Sequence, residues 1–444
     1  MTKDMTRGTP WKLILQVSIP TALGLIFQQL YGLADTIIVG RFLGVNALAA
    51  VGATGSLSFL IIGFMQGMCS GISIPVAQYF GAKDQENLQR SIANGVWVSA
   101  VLGTIVTVIT VLSTNWILTM MKTPQDIFAD AATYIRIIFL GCLATVLYNL
   151  TAGYLRALGD SKTPLVFLVI SSVLNVVLDL VFIISFHMGV GGAAWATVLS
   201  QLISGLLCLL YIVKKFPALH VAKGNMAFCM EHALQHISVG IPMGLQFSIT
   251  AIGCAILQTA TNTLGSNAVA AVTAASRAMN IFQCVLEAPG LTLATYCGQN
   301  YGAEKLDRVR FGVRQGLVVT LVLSVVCAAL VLTFGPFIGT LFVESSEKAI
   351  LEMMDTYYFL NSIFYPFLGI LFVYRNSIQG MGYTVPAMAA GVFELVARAA
   401  VSIFFVGVYG YAAVCLAGPV AWAAAVVLLI PVYYRLMQQL KWRA

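Results

Sequence analysis

Twelve stretches of this chain are apolar over 20 residues or more, separated by polar breaks that are mostly short. Their limits read as 13–40, 47–79, 92–117, 131–155, 164–186, 192–213, 237–264, 268–298, 312–337, 350–378, 386–407 and 411–434. A helix of about 20 apolar residues crosses the hydrocarbon layer of a bilayer, so the pattern predicts twelve spans. Most of the breaks are rich in Gly, Pro, Asn or charge, as loops are. Of the 444 residues, 59% are hydrophobic and 9% charged, against roughly 45–50% and 25% in soluble proteins. So few charges cannot build a water-facing surface. This excludes a soluble globular enzyme, a disordered chain and a nucleic-acid binder. The nine cysteines form no CxxC pair and lie mostly inside apolar runs, so neither a disulfide frame nor a zinc or other metal site is expected. The first apolar run, from Leu13 past Val39, is too long for the apolar region of a cleavable signal peptide.

The basic residues orient the spans. With the N-terminus inside, 17 of the 24 Lys and Arg residues fall in inner loops and tails and three in outer loops. Arg136, Arg277, Arg375 and Arg398 fall within spans. This split follows the positive-inside rule and predicts a multi-pass protein of the cytoplasmic membrane with both termini cytoplasmic. Pro20, Pro75, Pro242, Pro289, Pro366 and Pro419 lie within or at the start of spans, where kinks are expected. The longest loop, 214–236, reads as a cytoplasmic connector between an N-terminal lobe, 1–213, and a C-terminal lobe, 237–444. Met226 to His236 is amphipathic enough to lie along the inner interface. His220, His232 and His236 read as solvated loop residues, with no Cys or carboxylate at metal-ligand spacing.

The chain also repeats itself at an offset of about 222. Ile19-Pro20 matches Ile241-Pro242, and Asn46 to Val51 matches Asn267 to Val272. Gln78 to Lys83 matches Gln299 to Glu304, and Gly159 and Pro164 match Gly382 and Pro386. Six spans per half is an even number, so both halves enter the membrane in the same sense. The expected fold is all-α: two six-helix lobes related by a pseudo-two-fold axis along the membrane normal, enclosing a cleft and rocking to alternate access. Gly-Lys never occurs, so there is no Walker A loop. HExxH, GxSxG and a potassium-filter loop are absent too. Ion-coupled secondary transport is the simplest reading, with no enzymatic activity and no bound cofactor.

Four acids lie well within spans: Asp35, Asp179, Glu287 and Glu394. Ionisable groups in hydrocarbon cost roughly 2.5–3.5 kcal/mol each on insertion scales and are functional candidates by default. Asp35 has no cation on its helix face, and Gln28 and Tyr31 share its side of the first span. Asn175 precedes Asp179 by one helical turn. A carboxylate in a low-dielectric pocket without a cation favours its protonated form, and amide neighbours serve either form. That combination suits exchange of a proton. Asp35 maps onto Ile256 or Leu257, and Asp179 maps near Val401, so the acids specialise the first lobe. Glu394 and Arg398 stand four apart, the spacing of an internal ion pair, serving either structure or coupling. Glu287 needs a partner from another helix. Gly63, Gly67 and Gly71 form a small-residue row for close helix packing.

In order along the chain, these residues resemble the multidrug and toxic compound extrusion (MATE) family. The likeness rests on Asp35-Thr36 followed by Val39-Gly40-Arg41 and Ala47 to Ala50, Gln78 to Ala82, Arg156 to Asp160 before Pro164, Asn175 with Asp179, Gly192 to Thr197, and Gln299 to Ala303. It implies an antiporter that expels amphipathic, often cationic organic compounds against inward protons or sodium. By resemblance to the DinF branch, Asp35 and Asp179 carry the coupling cation, with Asn149, Asn175 and Thr197 in their hydrogen-bond network. Gln28 and Tyr31 match positions near the substrate chamber. The acids that form a sodium site in the NorM branch have no counterpart in the seventh span here, which favours the proton. The partners expected are organic small molecules and membrane lipids, with a monomeric chain. A lipid-linked oligosaccharide flippase would need several cations along its cleft. A prenyltransferase-like membrane enzyme would need an Asp-rich metal motif, and a channel a filter.

Overall fold

A computed structural model describes residues 3–341, 343–344 and 346–441. Every regular element among the described residues is helical. In lipid no water is available for backbone N–H and C=O groups, and a helix satisfies them within one segment. The spans are α1 (Pro10–Leu43), α2 (Gly55–Ala82, preceded by the short helix Val45–Ala53) and α3 (Gln85–Met120). Then come α4 (Gln125–Leu140 and Cys142–Ala157), α5 (Lys162–Leu180) and α6 (Gly189–Lys215). The second half holds α7 (Met230–Asn262), α8 (Ser266–Gly302), α9 (Leu306–Thr340) and α10 (Lys348–Ser362 and Tyr365–Gly380). It closes with α11 (Thr384–Ala400, continuing to Tyr409) and α12 (Tyr411–Lys441). Ten helices are individually long and apolar enough to cross a membrane, and α4 and α10 complete twelve as spans broken by 43° and 47°. Each expected span is met by one helix or one broken pair.

The chain divides into two compact units. The first comprises residues 3–4 and Leu23–Ser248, the second Met5–Ala22 and residues 249–441. Inside the first, α2 packs on α4, and α6 packs on both α4 and α5. Inside the second, α8 packs on α10, and α12 packs on both α10 and α11. The same neighbours recur one repeat later. The turns recur as well. Left-handed residues pair as Gly44 with Gly265, Lys83 with Glu304, Gly159 with Gly382, and Gly189 with Gly410. At Gly159 (φ 80°) a side chain would strain the backbone and strike the Lys3 carbonyl, 2.6 Å from where its Cβ would sit. The Lys3 N–H donates to Leu158 O at 2.8 Å, closing the N-terminus onto this turn.

The glycine row of α2 is a packing surface. A Cβ at Gly67 would lie 2.6 Å from Met243 O, and one at Gly71 2.7 Å from Gly240 Cα. The backbones of α2 and the first half of α7 therefore meet without side chains between them. Outside the spans, Asp84 caps α3 by accepting from the Asn87 N–H (3.1 Å) and Nδ2 (2.7 Å). These bonds hold its carboxyl below the usual range.

One expectation is corrected here. The reading of His232 and His236 as solvated loop residues fails: α7 begins at Met230, which carries both into the packed interior, at 5% and 0% exposure. His236 Nε2 lies 3.1 Å from Ser91 Oγ and 2.8 Å from Ser91 O, and His232 stacks on Tyr79. Of these three histidines, His220 alone is exposed. Of the prolines at which kinks were expected, Pro366 adjoins a sharp break. Pro20, Pro75, Pro242, Pro289 and Pro419 lie inside continuous helices, while the breaks fall at Gly141 and just before Tyr365-Pro366.

Candidate functional site

In the first unit, α1 and α5 bring Asp35 and Asp179 together. Both are buried, at 8% and 0% exposure. Their carboxyl groups are near enough to interact electrostatically. Among the described residues neither is paired with a cation, and Oδ1 of each has no partner. Two ionised carboxylates at close range repel in a low-dielectric site, and a bound cation or a shared proton relieves that repulsion.

Asn175 is fully buried one turn before Asp179. With its amide oriented to suit both neighbours, it donates to Asp179 Oδ2 at 3.2 Å and accepts from the Thr197 N–H at 3.2 Å. Tyr31, one turn before Asp35, buries a hydroxyl that has no partner of its own. The hydroxyls of Thr197 and Ser200 flank it, and both acids are near. Immediately beyond Leu180, α5 loosens into a π-helical turn, Val181–Ser185. Such turns are frequent at functional positions because they break the helical register.

Gln28, Tyr31 and Asn149 line one small cavity of about 40 Å³ with Gln66, Thr145 and Gln201. It is polar and large enough for water, and too small for an organic ligand. Asn149 donates to its own helix at Thr145 O (2.9 Å) and does not contact the acids directly. Thr145 Oγ1 in turn donates to Gln201 Oε1 at 2.6 Å. Of the residues expected from the sequence, the structure brings Asp35, Asp179, Asn175, Thr197 and Tyr31 into one cluster and sets Gln28 and Asn149 on the cavity beside it. Ser200, Thr145 and Gln201 escaped sequence reading. Single hydroxyls and amides on apolar helices carry no spacing signal.

Glu287, Glu394 and Arg398 belong to the second unit. The expected Glu394–Arg398 ion pair does not form. Glu394 Oε1 accepts instead from Arg375 Nη1 of α10 at 3.0 Å, with both side chains largely buried. Arg398 is buried with Nη1 unpartnered, lying over Gly253. The i,i+4 spacing allowed one pairing and the packing of α10 against α11 chose another. Glu287 is partly exposed and has Arg375 as its nearby cation. Among the described residues, no group of three or more His, Cys, Asp or Glu could hold a metal ion, and all nine cysteines are free.

Comparison with known proteins agrees with this architecture. The MatE family profile matches residues 20–181 and again 242–404, the two copies the internal repeat predicts. The chain is 30% identical over 380 residues to the probable multidrug resistance protein YpnP of Bacillus subtilis (strain 168), covering 85% of this chain and 84% of that protein. It is 29% identical over 354 residues to the probable multidrug resistance protein YoeA of the same strain, covering 78% and 76%. Among solved structures it is similar to the outward-facing conformation of a multidrug resistance MATE family transporter of the MOP superfamily. The TM-score is 0.91 at 25% identity, with 99% of each chain covered. A duplicated bundle of twelve spans, with the family profile matched in each half, places this chain in the multidrug and toxic compound extrusion (MatE) family of membrane transporters.

Proposed function

We propose that this chain is an antiporter that exports amphipathic, often cationic organic compounds in exchange for protons, and that Asp35 and Asp179 carry the proton. The observation behind this reading is the buried carboxyl pair without a cation. Such a pair binds a proton readily and releases it only when its surroundings change. Protonation removes charge from the junction of α1 and α5. Asn175 can donate to an ionised Asp179 or accept from a protonated one, so it serves both states. Thr197 and Asn149 extend the network toward the water-sized cavity. Substrate meets Gln28 and Tyr31 only after α1 moves, since the cavity takes water and not a drug. Pro20 gives α1 a point without a hydrogen-bonding N–H at which such a movement begins. Differential affinity of the proton for the two arrangements then drives the exchange.

The same reading makes the chain a monomeric, non-enzymatic protein of the cytoplasmic membrane. It keeps both termini inside and organises the chain as lobes 1–213 and 237–444 about a connector, 214–236. The names of the relatives, which refer to multidrug resistance, support a broad substrate range. The test uses proteoliposomes preloaded with ethidium, with an acidic exterior or external sodium as the only gradient. External acid drives efflux, and Asp35→Asn and Asp179→Asn each abolish it while eluting as folded monomers. Efflux driven by sodium alone, or undiminished in both variants, would reject the proposal.

A further inference from the structure

The second unit carries a groove that the transport reading does not use. It has a volume of about 480 Å³ and lies between α9, the second half of α10, and the end of α12. Two guanidinium groups, Arg310 and Arg314, line one side, and Tyr374, Tyr433 and Tyr434 the other. No carboxylate is among its lining residues. Arg310 Nη2 donates to Met437 O at 2.8 Å, which fixes that side chain against α12. Arg314 remains exposed. Tyr433 is 4% exposed, yet its hydroxyl has no hydrogen-bond partner. A second groove of about 410 Å³ opens beside Arg314, walled by Trp11, Phe311, Val318 and Val319. Arg314 lines both grooves.

From this arrangement we infer that the grooves hold an anionic phospholipid of the surrounding leaflet. Its phosphate sits on Arg314 and Arg310, and its acyl chains follow the apolar walls. Charge complementarity selects the headgroup. Guanidinium forks match phosphate oxygens in pairs, and basic pockets between membrane helices favour anionic headgroups. The apolar second groove selects a lipid over a free anion. Both grooves lie on the basic first turns of α9, where Arg308, Arg310 and Arg314 cluster, the part of a span that sits near headgroups.

Native mass spectrometry of the delipidated full chain tests this. Phosphatidylglycerol, phosphatidylcholine and inorganic phosphate are added separately to the wild type and to Arg314→Gln. The wild type should retain phosphatidylglycerol in preference to phosphatidylcholine and be indifferent to phosphate. Arg314→Gln should weaken phosphatidylglycerol binding by about fivefold, the loss of one interfacial cation. Arg310→Gln, which removes the other guanidinium of the groove, should weaken it too, so the result does not depend on one variant folding. Equal retention of the two lipids, unchanged binding in both variants, or displacement of the lipid by phosphate would each overturn the assignment.

Discussion

At the scale of residues, the two units hold buried charge in different ways. In the second, Glu394 is neutralised by Arg375 at 3.0 Å. In the first, Asp35 and Asp179 interact with each other, and among the described residues no cation pairs with either. The first arrangement is an ion pair, and the second is where the proposed mechanism places the coupling proton. Removing one partner of a buried ion pair leaves an uncompensated charge and typically costs about 3–5 kcal/mol. Arg375→Met should therefore destabilise the protein by about that much, whereas Arg398→Met, which removes no salt bridge, should cost clearly less. Thermal unfolding in detergent ranks the two, and the reverse order would mean that Glu394 relies on Arg398 after all. The acids themselves were legible in the sequence, because ionisable residues stand out in apolar runs. Their partners were not. Spacing exposes neighbours along one helix, so it offered Arg398 to Glu394. It could not reveal Arg375, 19 positions away on another helix, or join the first span to the fifth. Asn175 was found because it shares a helix face with Asp179.

Among the elements, the limits of the spans followed from hydropathy, and their irregularities did not. The breaks in α4 and α10 and the π-helical turns Val181–Ser185 and Val401–Phe405 occupy matching places in the two halves. Only the break before Pro366 has a proline to announce it. Helix contact through glycine is the converse case, because small-residue spacing is visible in sequence. It also yields a graded expectation. Gly71→Ala places its Cβ 2.7 Å from the α7 backbone, whereas Gly63→Ala places it 3.5 Å from Phe247 Cβ, an ordinary contact. Overpacking of the first kind costs about 1–3 kcal/mol. The melting temperature should fall clearly for Gly71→Ala and stay near wild type for Gly63→Ala. Equal melting temperatures would mean that α2 and α7 can separate without loss.

For the whole molecule, duplication governs the plan, since helix packing, turns and irregularities recur one repeat later. What distinguishes the halves is chemistry: an acid pair in one, a balanced Arg–Glu cluster in the other. The basic residues predict the sidedness, with both termini cytoplasmic, and a C-terminal fusion checks it. Green fluorescent protein placed after the last residue should fluoresce and alkaline phosphatase there should be inactive, since both outcomes require a cytoplasmic end. Active phosphatase would invert the topology. The central claim concerns the proton itself, and counting it is the most direct test. Ethidium is added to the weakly buffered, purified protein near neutral pH with a pH-indicating dye present. If Asp35 and Asp179 exchange a proton for substrate, the wild type releases protons as ethidium binds, and Asp35→Asn and Asp179→Asn bind it with little or no release. Binding by the wild type without release, or undiminished release from both variants, would contradict the account.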